Sequence, residues 1–197
     1  MLAVFLDQET TGLDPRIHSV VEIAFKIYDM SSLNLMASYH SIIKQPPEVW
    51  EKRDPSSIKV NGFSLEEIQM GKDILLVRKE IIFLLTSLKI IRGKAFFICQ
   101  NPAFDRSFFS QIVEVYTHEQ LQWPYHWLDL ASMYWVRQVD LAVQNGKAVQ
   151  NEMSFSKNAI ADFYHLPAEK APHRAMNGVD HLIACYERVL NVPFNIT

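Results

Sequence analysis

Short apolar runs that end in polar residues alternate with amphipathic segments along this chain. The run LAVFLD predicts a buried strand that ends in an acid, and SVVEIAFKIYDM and LMASYHSIIKQ predict two further strands. Because the turn residues DMSSLN lie between the second and third strands, these two are expected to pair as a hairpin. A proline-flanked stretch, residues 46–55, is predicted to be a loop.

Helical spacing dominates the remainder of the chain. SLEEIQ begins with Ser64 and has Glu67 three residues later, which is a capping-box pattern. The later segments predict a long helix (DILLVRKEIIFLLTSLK), a buried strand (AFFICQ), a helix (FDRSFFSQIVEVY), a short strand running into a helix (YHWLDLASMYWVRQ) and two last helices (FSKNAIADFYHL and HRAMNGVDHLIACYERVL). This order predicts an α/β sheet with an antiparallel hairpin at one side and helices on its faces, in a single domain over residues 1–197.

Composition narrows the class of protein. The chain has 197 residues, of which 49% are hydrophobic, and a net charge of −3. One sizeable core is therefore expected, and nucleic-acid binding would need a local basic patch or metal ions to offset phosphate charge. Cys99 and Cys185 lie in apolar surroundings without metal-ligand spacing, which predicts reduced core cysteines. Neither a signal peptide nor a membrane-spanning run is predicted, so a cytoplasmic location is expected.

Two carboxylates follow the first predicted strand. Asp7 and Glu9 are two positions apart, so on a strand they point to the same face. Two neighbouring carboxylates repel each other, and a shared cation such as Mg²⁺ or Mn²⁺ would explain them. The alternative is a pair of solvated acids at the end of a strand.

Two further positions carry candidate chemistry. Asn101 ends a strand and Asp105 begins a helix, where an aspartate is also a favourable first-turn charge. His173 precedes the last helix; a histidine there is either structural or a general base near neutral pH.

Taken together, these segments resemble a known family. FLDQETTGLD, NPAFDRSFF and HRAM resemble, in order, the three motifs of the DEDD 3′-5′ exonuclease superfamily, histidine subtype, which contains polymerase proofreading subunits, ribonuclease T and oligoribonuclease. SSIKVNGFSLEEI and WLDLASMYW also resemble family segments, so the likeness spans essentially the whole chain. It implies a ribonuclease H-like mixed five-stranded sheet flanked by helices.

The resemblance also implies a reaction, which is hydrolysis of phosphodiester bonds at nucleic-acid 3′ ends with two Mg²⁺ or Mn²⁺ ions. By similarity, Asp7 would bridge both ions, Glu9 would bind one, Asp105 would complete the site, and His173 would take the proton from the attacking water. Six residues are candidates for binding the terminal sugar and base of the substrate: Thr10, Thr11, Gly12, Leu13, Asn101 and Phe104. The alternative is that they only form a turn or pack in the core. Asp129 is expected to be structural.

The third motif departs from the family pattern. The last metal ligand is an aspartate five residues after the histidine, and here that position is Gly178. Asp180 is the nearest substitute, but about 200° of helix turn separates the two positions, so a regular helix cannot present Asp180 there. Replacing Gly178 with Asp is therefore expected to raise activity about tenfold or more by restoring the ligand.

Two functions remain open from the sequence. The first is a 3′-5′ exonuclease that is weakened, naturally or by design, with single-stranded or 3′-overhanging nucleic acid as substrate. VNGFS and PAFD favour DNA over RNA, although YHWLDLASM resembles oligoribonucleases. The second is a non-catalytic protein that binds nucleic-acid 3′ ends. A polymerase partner is not indicated, and the sequence does not predict the oligomeric state.

Overall fold

The arrangement of strands brings the candidate residues to one edge of a sheet. The computed structural model describes residues 1–149 and 151–195. The strands are β1 Leu2–Thr10, β2 Val20–Asp29, β3 Leu35–Ile42, β4 Ala95–Cys99 and β5 Trp127–Asp129. The helices are α1 Pro47–Glu51, α2 Pro55–Asn61, α3 Leu65–Gln69, α4 Ile74–Ser87, α5 Pro102–Ile112, α6 Val115–Gln120, α7 Leu130–Gln144, α8 Lys157–Phe163 and α9 Ala175–Leu190.

The five strands form one mixed sheet in the order β3-β2-β1-β4-β5. β1, β2 and β3 pair antiparallel, whereas β1, β4 and β5 are parallel. The predicted five-stranded mixed sheet and the β2–β3 hairpin are therefore confirmed. Since parallel strands share their carboxyl edge, the ends of β1, β4 and β5 lie side by side, and the start of β2 joins them.

The sheet is covered on both faces because β1 alternates its apolar side chains. Val4 and Leu6 pack in a core with α4 and α5, and Ala3 and Phe5 pack in a second core with α7, α8 and α9. The ring of Phe5 contacts Tyr186 of α9 edge-on, with centroids 5.0 Å apart. Each such fully buried side chain stabilises the fold by about 1.5–3 kcal/mol, so α9 is firmly fixed over β1.

Residues 46–61 contain helices that the sequence pattern did not predict. The predicted loop of residues 46–55 includes α1, which begins with Pro47 at its first position, and α2 follows with Pro55 at its first position. Proline suits that position because its fixed φ is helical and its missing N–H is not needed there. Asp54 caps α2 by accepting a hydrogen bond from the Ser56 N–H at 2.9 Å.

Other expectations are met in detail. Ser64 and Glu67 form the predicted capping box at the start of α3. Cys99 and Cys185 are free and buried, as predicted. Within residues 1–149 and 151–195, no helix has the length and apolar character needed to cross a membrane.

Candidate active site

The carboxyl end of β1 presents two acids on the face that α9 covers. Ala3 and Phe5 pack toward α9, and Asp7 and Glu9 continue the same alternation along the strand. Gln8 points to the opposite face, where its Nε2 donates a 2.7 Å hydrogen bond to the backbone carbonyl of Asp105. That bond ties the end of β1 to the first turn of α5.

The acids at this edge influence one another strongly. Burial raises the pKa of Glu9 to about 8, and the charges of Asp7 and Glu22 add to the rise. Burial, followed by the charge of Asp7, also raises the pKa of Asp105, which is only 3% exposed. Asp7 therefore interacts with both Glu9 and Asp105, and burial disfavours the charged form of each acid in this acidic cluster. That the three residues act together as a catalytic set stays a prediction.

A lysine side chain supplies a positive charge to this acidic cluster. Lys157, at the start of α8, places its Nζ 3.1 Å from Asp7 Oδ1 and 3.1 Å from Glu169 Oε2. The lysine and aspartate side chains are each 14% exposed and the glutamate side chain 3%. Burial by itself would lower the pKa of Lys157, but the charges of Asp7 and Glu169 outweigh it and raise that pKa. The ammonium is therefore charged at neutral pH.

Glu169 also connects the cluster to His173. The Nδ1 of His173 lies 3.7 Å from Glu169 Oε1, and the backbone N–H of His173 donates to the Val60 carbonyl at 3.0 Å. On the other side, His181 Nδ1 lies 3.7 Å from Glu169 Oε2. Burial opposes ionisation of Glu169, but His181 and Lys157 outweigh it and lower its pKa to about 2. The partly exposed His173 thus lies at the rim, beside a carboxylate that stays charged.

Glu22 fixes the helix that completes the site. It lies opposite Glu9 on β2, and its carboxylate accepts a 2.7 Å hydrogen bond from the Ala175 N–H at the start of α9. Its other oxygen lies 2.6 Å from His40 Nε2. A carboxylate at a helix N-terminus satisfies an otherwise free donor and stabilises the helix dipole. Glu22 therefore sets where α9 begins relative to β1.

Gly178 faces Asp7 from α9, and Asp180 does not. A Cβ atom at position 178 would lie 2.0 Å from Asp7 Oδ2 and 3.1 Å from Lys157 Nζ. Asp180 is 53% exposed and pairs with Lys26 Nζ at 2.6 Å. Asp180 therefore lies away from Asp7 on the regular helix α9 and pairs with a residue of β2. An Asp at position 178 would require the Asp7 carboxylate to shift, and the gain in activity expected from Gly178→Asp stays a prediction.

The threonine hydroxyl groups at the end of β1 and in the loop after it form hydrogen bonds within this segment. Thr10 Oγ1 donates to the Gly12 carbonyl at 2.6 Å, and Thr11 is fully buried, with its Oγ1 accepting from the Ser19 N–H. The His18 ring packs against Gly12, where a Cβ atom would lie only 2.3 Å from the ring. Glycine at this position therefore leaves room for the histidine. Within this substrate-binding candidate segment, the Leu13 side chain is 71% exposed and is therefore available to a ligand.

A cavity lies beside the second motif. Asn101 adopts a left-handed conformation with φ 58° at the N-cap of α5, and its N–H donates to Asp129 Oδ1 at 3.1 Å. Asp129 also caps α7, which is the structural role expected for it. Asn101 lines a cavity of about 800 Å³ with Trp135 and Phe155, whereas Phe104 packs against Phe108, with ring centroids 4.8 Å apart.

Solved structures of nucleases share this architecture. The zinc-bound E. coli ExoI–ssDNA complex matches 96% of the chain with a TM-score of 0.71 at 18% identity. Cell-death related nuclease 4 (CRN-4) matches 96% with a TM-score of 0.69 at 16% identity, and the 3′-exonuclease that recognises the histone mRNA stem-loop matches 96% with a TM-score of 0.67 at 12% identity.

The chain has the ribonuclease H-like fold of these exonucleases. It spans 40% of the ExoI chain, 64% of the CRN-4 chain and 63% of the histone mRNA exonuclease chain. No protein-family model and no curated protein sequence matches it.

The residues present do not fit the two-ion centre that the exonuclease resemblance implies. In the part of the chain that the structure describes, residues 1–149 and 151–195, no group of three or more His, Cys, Asp and Glu side chains is arranged to hold a metal ion. Asp7, the expected bridging ligand, is paired with Lys157, and Gly178 offers no carboxylate. The expectation of two Mg²⁺ or Mn²⁺ ions is not supported by this geometry.

Sequence reasoning missed two residues of this site, Lys157 and Glu169. Lys157 precedes Ile160 and Ala161, which are buried, by three and four positions, so helical periodicity places it on the inward stripe of α8. A charged residue on such a stripe was the available signal. Glu169 carried no comparable signal because it lies in a loop, and only the tertiary fold brings it to Lys157.

Proposed function

We propose that the chain acts on the 3′ ends of single-stranded nucleic acid as a feeble 3′-5′ exonuclease. The observation that supports this proposal is that, in an exonuclease fold, Asp7 and Glu9 lie at the carboxyl end of β1. Gln8 ties that end to the first turn of α5, which carries Asp105. Lys157 and Glu169 connect Asp7 to His173. Such edges are where α/β proteins bind ligands. The reaction class is hydrolysis of the terminal phosphodiester, in which water adds to phosphorus and the shortened strand leaves with a free 3′ hydroxyl.

His173 is suited to the proton transfer in this reaction. Glu169 lies beside its Nδ1, so the Nε2 remains for a water molecule in the cleft. A neutral imidazole can then accept the proton that the water loses as it adds to phosphorus. The carboxylate of Glu169 would stabilise the imidazolium that results, because opposite charges a few ångströms apart favour the charged form.

Low activity follows from the cation that is present. An ammonium is a point charge on a flexible stem, and it cannot hold a water molecule and a phosphate oxygen in fixed directions as a coordinated metal does. Misplacement of reacting atoms by about 1 Å can reduce a rate on the order of 10²-fold. Lys157 and Gly178 therefore favour a slow enzyme over an efficient one.

DNA is the preferred substrate in this proposal. The VNGFS segment carries the buried Asn61, whose Nδ2 donates to the Thr10 carbonyl at 3.0 Å and so shapes the loop after β1. The exposed Leu13 and the partly buried Phe104 offer apolar surfaces to the last base. Apolar contact of this kind suits an unstacked base at a single-stranded end of DNA or RNA, so the preference for DNA rests on the resemblance of VNGFS and PAFD to proofreading-type enzymes.

A second candidate is a protein that binds nucleic-acid 3′ ends without cleaving them. The specific observation that favours it is the ion pair of Lys157 with Asp7, since a carboxylate held by an ammonium is withdrawn from catalysis. His173 and Asp105 would then be retained for structure rather than for chemistry.

The two candidates are separated by an assay on a single-stranded DNA oligonucleotide labelled at its 5′ end. An exonuclease shortens it one nucleotide at a time, Asp7→Asn abolishes the shortening, and a 3′-phosphate block slows it. A protein that only binds 3′ ends raises the fluorescence anisotropy of the labelled oligonucleotide when its 3′ hydroxyl is free, and it does not shorten the oligonucleotide. RNA and blunt duplex DNA serve as competitors in both measurements. Absence of both shortening and 3′-dependent binding would refute both candidates.

A further inference from the structure

We propose that Lys157 and Gly178 together replace a divalent cation and its aspartate ligand, so that the site is neutralised from within and takes no divalent metal ion at Asp7. The inference concerns the cation at the site and holds whichever substrate the protein binds. It rests on a steric relation between the two positions, on a charge balance, and on the fixed placement of the lysine.

The steric relation makes the two residues interdependent. Asp7 Oδ2 lies where a Cβ of residue 178 would be, with 2.0 Å between them, while Asp7 Oδ1 contacts Lys157 Nζ at 3.1 Å. Real Cβ contacts are essentially never that short, so any side chain at position 178 requires the Asp7 carboxylate to shift from the position in which it contacts the lysine. A glycine costs about 1 kcal/mol in a helix relative to alanine, and room for this ion pair accounts for its presence.

The charge of Lys157 and Gly178 matches that of one dication and its aspartate ligand. A dication together with one aspartate carries a single net positive charge, and a lysine facing a glycine carries the same. This balance covers one ion of the implied two-ion centre; the second dication has no counterpart here, so Asp7, Glu9 and Asp105 have less counter-charge than in a site with two ions. Either Lys157→Leu or Gly178→Asp alone would make the cluster one charge more negative, and both together would make it two charges more negative, which is the charge that one dication offsets.

The lysine is held as a structural part of the fold. Ser156 caps α8 by accepting a hydrogen bond from the Ala159 N–H at 3.1 Å, which fixes the helical turn that carries Lys157. The Cys185 thiol of α9 lies 3.7 Å from the Lys157 carbonyl. Glu169 supplies a second carboxylate at 3.1 Å, so the ammonium has two anionic partners and little access to water. A divalent ion would have to displace it from both.

The test is manganese binding measured by isothermal titration calorimetry on four proteins. These are the wild-type chain, Lys157→Leu, Gly178→Asp and the double variant. We expect the double variant to bind Mn²⁺ at least tenfold more tightly than the wild type, and each single variant to stay near the wild type. Thermal unfolding of each protein establishes that it is folded. Tight Mn²⁺ binding by the wild type, lost in Asp7→Asn, would overturn the proposal.

A second measurement covers the case in which the double variant does not fold. The electron paramagnetic resonance signal of Mn²⁺ added to the wild-type protein is expected to equal that of free Mn²⁺ in buffer, and to be the same with Asp7→Asn. A bound-manganese fraction that depends on Asp7 would contradict the inference without any variant at positions 157 or 178. Binding of the oligonucleotide is measured separately, so failure here leaves the proposed function standing.

Discussion

Removal of the internal ammonium is the perturbation with the clearest expected magnitude. Lys157→Met keeps the length and most of the volume of the side chain but leaves Asp7 and Glu169 without their shared cation. Removing one partner of a buried ion pair costs about 3–5 kcal/mol. Because Asp7 can take up a proton, and because Met packs well, we expect the lower end of that range, about 3 kcal/mol.

The assay is thermal unfolding followed by circular dichroism at neutral pH. For a chain of this size 1 kcal/mol corresponds to about 2–4 °C, so Tm should fall by about 6–12 °C. Lys26→Met is the matched control because it removes a lysine from an ion pair with the exposed Asp180. Exposed pairs contribute about 1 kcal/mol or less, so its Tm should change by less than about 4 °C. Equal effects of the two substitutions would refute the reasoning that Lys157 balances a buried charge cluster.

Three further outcomes are expected in thermal unfolding. Gly178→Ala should lower stability by about 1–3 kcal/mol because its Cβ meets Asp7, although alanine normally stabilises a helix; a gain would contradict the steric argument. Glu22→Ala should cost about 1–3 kcal/mol by leaving the Ala175 N–H without its partner, and an unchanged Tm would show that α9 does not need it. Burial lowers the pKa of His118 from 6.5 to about 4, so its protonation removes stability as pH falls through that window. His118→Phe should flatten that loss, and an unaltered pH profile would assign it to other groups.

Local patterns predicted most of the fold. The alternation in β1 placed Asp7 and Glu9 on one face, and the Ser64–Glu67 spacing located the start of α3, because both depend on neighbours in sequence. The short helices that begin at Pro47 and Pro55 escaped prediction because five and seven residues are too few to show a clear helical period.

The sequence identified Asp7, Glu9 and Asp105 as site candidates, a role that stays a prediction, but it did not indicate Lys157. Helix geometry alone placed Gly178 toward the site and Asp180 away from it. The pairing of Lys157 with Asp7 spans 150 positions and depends on where α8 docks, which no local pattern encodes. Glu169 reaches the same ammonium from a loop, so its part in the site follows only from the tertiary structure.

The most direct test is a crystal structure of the protein with a single-stranded DNA oligonucleotide and Mn²⁺, with anomalous scattering recorded for manganese. We expect the 3′ end of the strand at the carboxyl edge of β1 and β4, Lys157 Nζ between Asp7 and Glu169, and no anomalous peak at Asp7. Manganese bound at Asp7 with the lysine displaced, or a strand bound on another face of the sheet, would contradict this description of the site.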